Sequence, residues 1–284
     1  MTDDTGVPTT ATHPDRADPG PADPALAALA TAAGRTAQLL RRIPDPGARV
    51  PGLTWTVAEV AAHLVADLRV YTDLVAGRAG GQPLGSGTAA ELNAAENRRQ
   101  LATFPERDLG RLAAELTDAV PAYLAAAAAA PRAQRVSTPI GIGMTPATVT
   151  AILLGEQLVH GLDLARGAGL SWPIGAADAR LVIPGLMALL PSYLDRDRAR
   201  GLHIRYELRL GGALRYHLAV VDGTGTVSAA TGRADCVITA DPVAFLLVGY
   251  GRTGQWGPIL RGKLRAGGRK PWLGFRFAAL TVNP

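Results

Sequence analysis

The chain of 284 residues has a single cysteine, Cys236, so the sequence allows neither an intramolecular disulfide nor a cysteine-based metal cluster. This composition is typical of a reducing compartment. The first residues have neither the basic start nor the apolar core of a secretory signal. No apolar run reaches the ~18 uninterrupted residues that a membrane-spanning helix needs. We therefore expect a cytoplasmic protein without a membrane partner.

Lysine and aromatic residues are also scarce. The lysines are Lys263 and Lys270, and the arginines are scattered along the chain although its formal net charge is +5. Aromatic residues make up 5% of the sequence, which is little for the stacking platforms that bind single-stranded nucleic acid. We therefore expect no nucleic-acid partner. The hydrophobic content of 48% is ample for a packed core.

Hydrophobic periodicity divides the chain into two regions. A period near 3.6 recurs up to about residue 200 and predicts helices over 24–42, 57–76, 88–103, 108–130, 145–169 and 176–198, the last interrupted by its prolines. After Gly201 the period changes to 2, and two alternating runs flank Gly211 and Gly212, as in a β-hairpin. We therefore expect a disordered tail over 1–22, a helical domain over 23–199 and a smaller α+β domain over 200–284.

One helical stretch carries two side chains of the kind that bind metals. It begins at Thr145, a helix-capping residue followed by proline, and it ends near Gly169. Within it, Glu156 and His160 are four residues apart and therefore share one helix face. Such a pair can hold a divalent cation, but it also occurs on helix faces that simply meet solvent. The apolar neighbours favour the metal site, because a buried carboxylate needs a partner.

Two sequence motifs resemble one protein family. WTVAEVAAHL, followed about ninety residues later by GEQLVHGLDLARGAG, is similar to the mycothiol-dependent maleylpyruvate isomerase family. The resemblance implies a DinB-like helical bundle for the first domain. The segments ADCVITADPVAFLLVGYGR and GKLRAGG resemble the sterol-carrier-like domain that follows it in this family. Where the family often has an aromatic residue after the His-Gly pair, this chain has Leu162, which leaves the substrate open.

The resemblance also implies a metal site and a reaction. The family's His, Glu, His ligands match His63, Glu156 and His160. They imply zinc, or another divalent metal that accepts the same donors. The implied cofactor is mycothiol, whose activated thiolate would add to a conjugated, carboxylated small molecule. Reversal of the addition after bond rotation gives a cis–trans isomerase, and a persistent adduct gives a thiol S-transferase.

Five further residues are candidates for supporting roles. Asp67, one turn after His63, could face the metal or hold an imidazole from outside the first coordination sphere, and its alternative is a solvated helix face. Asp163, three residues after His160, could orient that ligand or cap a neighbouring backbone group. Arg252, Arg261 and Lys263 are candidates for binding substrate carboxylates.

Two other functions stay open at this stage. The metal could activate water in a hydrolase-type enzyme without a thiol cofactor. Alternatively, the protein could be non-catalytic and hold a small apolar ligand in its second domain. We expect a monomer or a homodimer.

Overall fold

A computed structural model describes residues 23–79 and 85–282. The tail predicted to be disordered, 1–22, lies outside the described residues. The first part of the described chain is helical, and a five-stranded sheet follows, as expected from the change of period. Its helices are α1 (Pro24–Leu40), α2 (Val57–Val75), α3 (Ala89–Thr103), α4 (Leu109–Ala129), α5 (Pro146–Gly167) and α6 (Ala176–Leu189), with a two-stranded ribbon, β1 (Val136–Ser137) and β2 (Gly143–Met144), before α5.

Local capping fixes where the two helices of greatest interest begin. Thr56 accepts a hydrogen bond from the backbone N–H of Glu59, and the Glu59 carboxylate accepts one from the backbone N–H of Thr56, so a capping box starts α2. Thr145 accepts from the backbone N–H of Thr148 at the start of α5, directly before the proline. Both starts agree with the sequence prediction.

The helices differ in what they bury. Helix α5 is buried on nearly all sides among α1, α2 and α6, and leucines such as Leu154 and Leu158 are fully buried. Helix α3 is the opposite case, because its buried side chains are the polar Glu96 and Gln100. It therefore packs on α2 through polar contacts, and these contacts lead to the site described below.

The helix predicted over 176–198 does break, at one of its two prolines. Pro184 lies inside α6, whereas Pro191 lies in a 3₁₀ turn, Leu190–Tyr193, that ends the regular helix. A short helix, α7 (Arg196–Ala199), then leads into the sheet.

The strands of the sheet are β3 (His203–Leu210), β4 (Leu214–Val221), β5 (Thr224–Ala229), β6 (Cys236–Ala240) and β7 (Leu264–Gly267). Their order in the sheet is β5-β4-β3-β6-β7. β3 and β4 form the predicted hairpin, in which Gly211 and Gly212 take positive φ angles, and β6 lies parallel to β3. The helices of this part are α8 (Pro242–Gly249), α9 (Trp256–Leu260) and α10 (Gly274–Phe277).

Helices α6 and α8 join the helical part to the sheet. Ile183 and Met187 of α6 are buried in the hydrophobic cluster of the sheet, whereas Leu246 and Tyr250 at α8 belong to the cluster of the helices. The segment after α8 is thereby brought to the helical part, although it follows the domain boundary that we predict near residue 200. In the described residues, no helix is both long and apolar enough to cross a membrane.

A close contact at Gly161 gives the first prediction. A Cβ at this position of α5 would lie 2.2 Å from the Trp172 ring, whose indole N–H donates to the Leu158 carbonyl at 2.9 Å. Gly161→Ala should therefore lower the free energy of unfolding by about 1–3 kcal/mol, the usual cost of overpacking. Gly34→Ala is the matched control, because that exposed α1 glycine has open space around its Cβ position; it should stabilise by about 0.5–1 kcal/mol. Urea unfolding measures both, and equal effects would contradict the packing argument.

Candidate metal centre

Three potential ligands from two helices meet at one point. His63 comes from α2, and Glu156 and His160 come from α5, where they are one turn apart. Glu156 Oε2 lies 3.1 Å from His160 Nε2 and 3.5 Å from His63 Nε2, and the three donor atoms are all within 4.8 Å of one another. In a tetrahedral site with bonds of about 2.0–2.1 Å, neighbouring donor atoms are ~3.3 Å apart. The spacing and the donor types thus fit a divalent cation such as zinc.

The second nitrogen of each imidazole is held by a neighbouring side chain. His160 Nδ1 donates to Asp163 Oδ2 at 3.0 Å, and His63 Nδ1 donates to Gln100 Oε1 at 3.2 Å. Both rings consequently present Nε2 to the common point. This is the arrangement in which outer partners fix the orientation of metal-binding histidines.

Gln100 is a site residue that the sequence analysis missed. It lies on α3, and its amide also donates to Asp67 Oδ1 at 2.9 Å and to Glu96 Oε1 at 3.3 Å. The sequence offered one signal for it: Glu96 and Gln100 are polar residues one turn apart on a helix that has no apolar stripe. Nothing in the spacing linked that pair to a histidine on another helix.

Asp67 lies beside the three donors. Its Oδ2 is 3.5 Å from His63 Nε2, the same nitrogen that faces Glu156. The carboxylate is therefore directed toward the common point of the three donors, rather than toward the outer nitrogen of His63.

Asp163 connects the centre to the segment after α8. The Arg252 guanidinium donates to Asp163 through Nε at 3.1 Å and Nη2 at 2.7 Å, and its Nη1 donates to the carbonyl oxygen of Tyr250 at 2.7 Å. The Tyr250 hydroxyl donates to Glu156 Oε1 at 3.3 Å. Of the three basic residues proposed to bind substrate, Arg252 lines the cavity at this centre, with its charge paired to Asp163. Arg261 and Lys263 are exposed and are not among the described residues that line it.

The charges of the buried ligands and their neighbours shift one another's pKa values. Burial opposes a charge on His63, but the Asp67 and Glu156 carboxylates outweigh this effect and raise its pKa to about 9. Burial likewise opposes a charge on His160, yet Asp163 and Glu156 raise its pKa. Burial disfavours the Glu156 carboxylate, but hydrogen bonds from His160 and His63 hold its pKa well below the usual range. Burial raises the pKa of Asp67 despite the neighbouring His63.

These pKa shifts predict that metal binding depends on pH. Without metal, His63 is protonated below pH 9, and the pKa of His160 is also raised, so a metal must displace protons from the imidazoles. Affinity for zinc should therefore rise with pH between pH 6 and 8, by about tenfold per pH unit for each proton displaced. Chelator competition at pH 6, 7 and 8 measures the slope, and a weakly buffered indicator measures the released protons. A constant affinity with no proton release would exclude the imidazoles as ligands.

A cavity of about 450 Å³ opens at the centre. Trp55 forms part of its wall, with its ring 5.2 Å from that of His63 and 6.2 Å from that of His160. Helix α3 contributes polar lining residues such as Asn93 and Asn97, and most of the remaining lining is apolar or aromatic. The volume falls in the range of small-molecule binding sites.

Comparisons with known proteins agree with this description. Residues 26–165 match the family model described as the mycothiol maleylpyruvate isomerase N-terminal domain. The fold is similar to the crystal structure of the mycothiol-dependent maleylpyruvate isomerase, with a TM-score of 0.53 and 14% sequence identity over 87% of this chain and 93% of that one. A histidine-to-alanine mutant of that isomerase gives a TM-score of 0.51 at the same identity and coverage. No curated protein matches the chain in sequence.

Proposed function

The chain belongs to the mycothiol-dependent maleylpyruvate isomerase family, and from this premise we propose that it is a metal-dependent enzyme. It uses mycothiol either to isomerise an electron-poor conjugated small molecule or to attach the thiol to that molecule. The observation that carries the proposal is the convergence of His63, Glu156 and His160 in the lining of a ligand-sized cavity. The similarity to the solved isomerase, with a TM-score of 0.53, supports the fold.

The donor set supports zinc as the metal. Two neutral imidazoles and one carboxylate leave a bound divalent cation with net positive charge, and three protein ligands leave one position for an exchangeable group. The chemistry supplied by such a metal is a lower pKa for a thiol that binds there, which is otherwise ~8.5. Gln100 and Asp163 would keep both imidazoles oriented toward that metal.

We assign to Asp67 the role of the base that accepts the proton of the thiol. Its Oδ2 lies 3.5 Å from His63 Nε2, beside the three donors, where a carboxylate can act as the base for a thiol that binds at the same point. Gln100 holds Oδ1 by a hydrogen bond, so Oδ2 is the oxygen left to take the proton.

The reaction then needs no redox partner. The thiolate sulfur forms a bond to one carbon of the conjugated double bond, while the π electron pair moves onto the carbonyl oxygen. Rotation about the resulting single bond, return of the electron pair and cleavage of the carbon–sulfur bond give the trans isomer and free thiolate. If Asp67 instead returns its proton to the carbon skeleton, the adduct is the product and the reaction is S-transfer.

Removal of the charge on Asp163 should weaken the metal site without destroying it. Asp163→Asn keeps the shape of the side chain but weakens the hydrogen bond to His160 and the ion pair with Arg252. Affinity for zinc should fall by about 10–100-fold, as is usual for loss of an outer partner of a metal-binding histidine. Asp73→Asn, at a half-exposed carboxylate of α2, is the control and should leave affinity unchanged. If the two variants bound zinc with equal affinity, Asp163 would have no role in metal binding.

The experiment that tests the proposed function is a two-by-two activity measurement. Zinc-loaded and chelator-stripped protein are each assayed with and without mycothiol on a cis-configured conjugated substrate. We expect turnover when metal and thiol are both present. Activity in demonstrably metal-free protein would overturn the proposal, and metal-dependent activity without thiol would favour the hydrolase-type alternative.

A non-catalytic ligand-binding role has little support in the described residues. The apolar cavity near α6, α8 and α10, lined by Met187, Phe245 and Phe277 among others, has a volume of about 100 Å³. Ligand sites for drug-sized molecules usually hold about 300 Å³ or more.

A further inference from the structure

The two carboxylate oxygens of Glu156 have different neighbours. Oε2 faces the imidazoles, at 3.1 Å from His160 Nε2 and 3.5 Å from His63 Nε2. Oε1 instead accepts a hydrogen bond from the Tyr250 hydroxyl at 3.3 Å. An ionised carboxylate can only accept hydrogen bonds, so the phenol is the donor in this contact. Glu156 thus directs one oxygen toward the common point of the three donors, while its other oxygen is engaged by a phenol.

Tyr250 reaches this carboxylate from the part of the chain that holds the sheet. It directly follows α8, and its side chain is buried in the hydrophobic cluster of the helices. Its backbone N–H donates to the Leu246 carbonyl at 3.0 Å, and its own carbonyl accepts from Arg252 Nη1 at 2.7 Å. A side chain held by packing and by backbone contacts on both sides has little freedom to move. The hydroxyl therefore has a fixed position relative to α5.

Helix α5 leaves space for this hydroxyl at Gly155, the residue directly before the carboxylate. A Cβ at this position would lie 2.7 Å from Tyr250 Oη and 2.9 Å from Val182 Cγ1. Both distances are shorter than a side-chain carbon tolerates, so the phenol would have to move away from Glu156. Glycine weakens a helix interior relative to alanine. The contact between the phenol and the carboxylate gives a reason for glycine at this position.

The hydrogen bond matters because a carboxylate can bind a cation through one oxygen or through both. A catalytic zinc has three protein ligands and one position for an exchangeable group. If both oxygens of the carboxylate bound the metal, the second oxygen would take up that position. A hydrogen-bond donor on Oε1 opposes this second bond, because the phenol proton and the cation would compete for the same oxygen.

From these contacts we propose that Tyr250 is a positioning residue for the metal centre, whose hydroxyl limits Glu156 to one metal bond and so keeps a coordination position open for the thiol. The inference rests on the proposed function. It adds to the His and Glu ligands a residue that follows α8.

Infrared difference spectra between zinc-loaded and metal-free protein report how a carboxylate binds the cation. The antisymmetric and symmetric carboxylate stretches are further apart when one oxygen binds the metal than when both oxygens do. We expect the wide separation in the wild-type protein and a narrower one in Tyr250→Phe, which keeps the ring and removes only the hydroxyl. An unchanged separation in Tyr250→Phe would overturn the inference.

Tyr206→Phe is the matched control. The Tyr206 hydroxyl is also buried, and it donates to the Leu273 carbonyl at 3.1 Å within the hydrophobic cluster of the sheet. Its removal costs a comparable buried hydrogen bond but touches no oxygen of the metal centre, so the infrared separation should equal that of the wild type. Urea unfolding verifies that both variants fold.

Thiol binding provides a second readout that does not depend on turnover. Calorimetric titration of zinc-loaded protein with mycothiol should give a dissociation constant about tenfold higher for Tyr250→Phe than for the wild type, equivalent to ~1.4 kcal/mol. In steady-state kinetics, the same loss should raise the KM for mycothiol and leave kcat at saturating thiol nearly unchanged. Tyr206→Phe should change neither the dissociation constant nor the KM.

Gly155→Ala tests the same contact from the side of α5. The added methyl group would displace the hydroxyl, so this variant should reproduce the weaker thiol binding of Tyr250→Phe. In the double variant the displaced oxygen is absent, so the second substitution should add little to the first. Additive increases in the dissociation constant would mean that the substitutions act separately, which would contradict the role of the hydroxyl.

The possible results separate the two proposals. If zinc binds, and if the infrared separation and the thiol affinity are the same in Tyr250→Phe and Tyr206→Phe, the inference is overturned and the proposed function stays in place. Wild-type protein that binds no zinc would overturn the proposed function, and the inference with it.

Discussion

His63→Ala should lose metal and activity together. We expect affinity for zinc to fall by more than the ~100-fold that loss of an outer partner can cost, because this variant removes one of three ligands. Turnover should fall by about 10³-fold, equivalent to ~4 kcal/mol of transition-state stabilisation. The remaining pair, Glu156 and His160, lies on one helix and keeps its spacing of 3.1 Å, so residual weak binding is expected.

The measurement pairs zinc titration with steady-state kinetics at saturating zinc and mycothiol. His203→Ala is the matched control, because His203 is an exposed histidine of β3 outside the cavity lining. If His63→Ala bound zinc and turned over substrate as well as this control, the proposed ligand set would be wrong.

Asp67→Asn should separate metal binding from chemistry. Asparagine has the size of aspartate and can still contact Gln100, but its amide cannot accept the thiol proton. Turnover should fall by about 10²–10⁴-fold, the usual contribution of a general base, while zinc stays bound.

The pH profile distinguishes this role from a structural one. Because the carboxylate is the form that accepts the proton, wild-type activity at saturating zinc should fall as the pH drops through the pKa that Asp67 has in the zinc-loaded protein, and Asp67→Asn should lose that fall. Asp73→Asn serves as the control on the same helix. An unchanged profile in Asp67→Asn, even with a lower rate, would assign Asp67 to positioning instead of proton transfer.

Local signals in the sequence were sufficient for the helices that carry the site. The capping residues Thr56 and Thr145 predict where α2 and α5 begin, and helical spacing alone places Glu156 and His160 on one face. His63 is different, because no spacing rule relates it to a residue 93 positions later. Its assignment depended on the family resemblance, and the structure brings its Nε2 to 3.5 Å from Glu156.

The contacts that the sequence could not predict are all long-range. Gln100 reaches His63 from a helix whose polar surface looks like a solvated face. Arg252 was expected to bind substrate, but it meets Asp163, which lies 89 positions earlier in the chain. A pattern of residue types shows that a cation is present, whereas only the packing of α8 against the helices shows which carboxylate it neutralises.

We propose that His63, Glu156 and His160 together bind one divalent metal. The most direct test is X-ray absorption spectroscopy of protein loaded with zinc, together with its metal content. We expect about one zinc per chain, with two imidazole nitrogens and at least one carboxylate oxygen at ~2.0–2.2 Å. Protein that binds no zinc at neutral pH, or binds it without imidazole ligands, would contradict this ligand set.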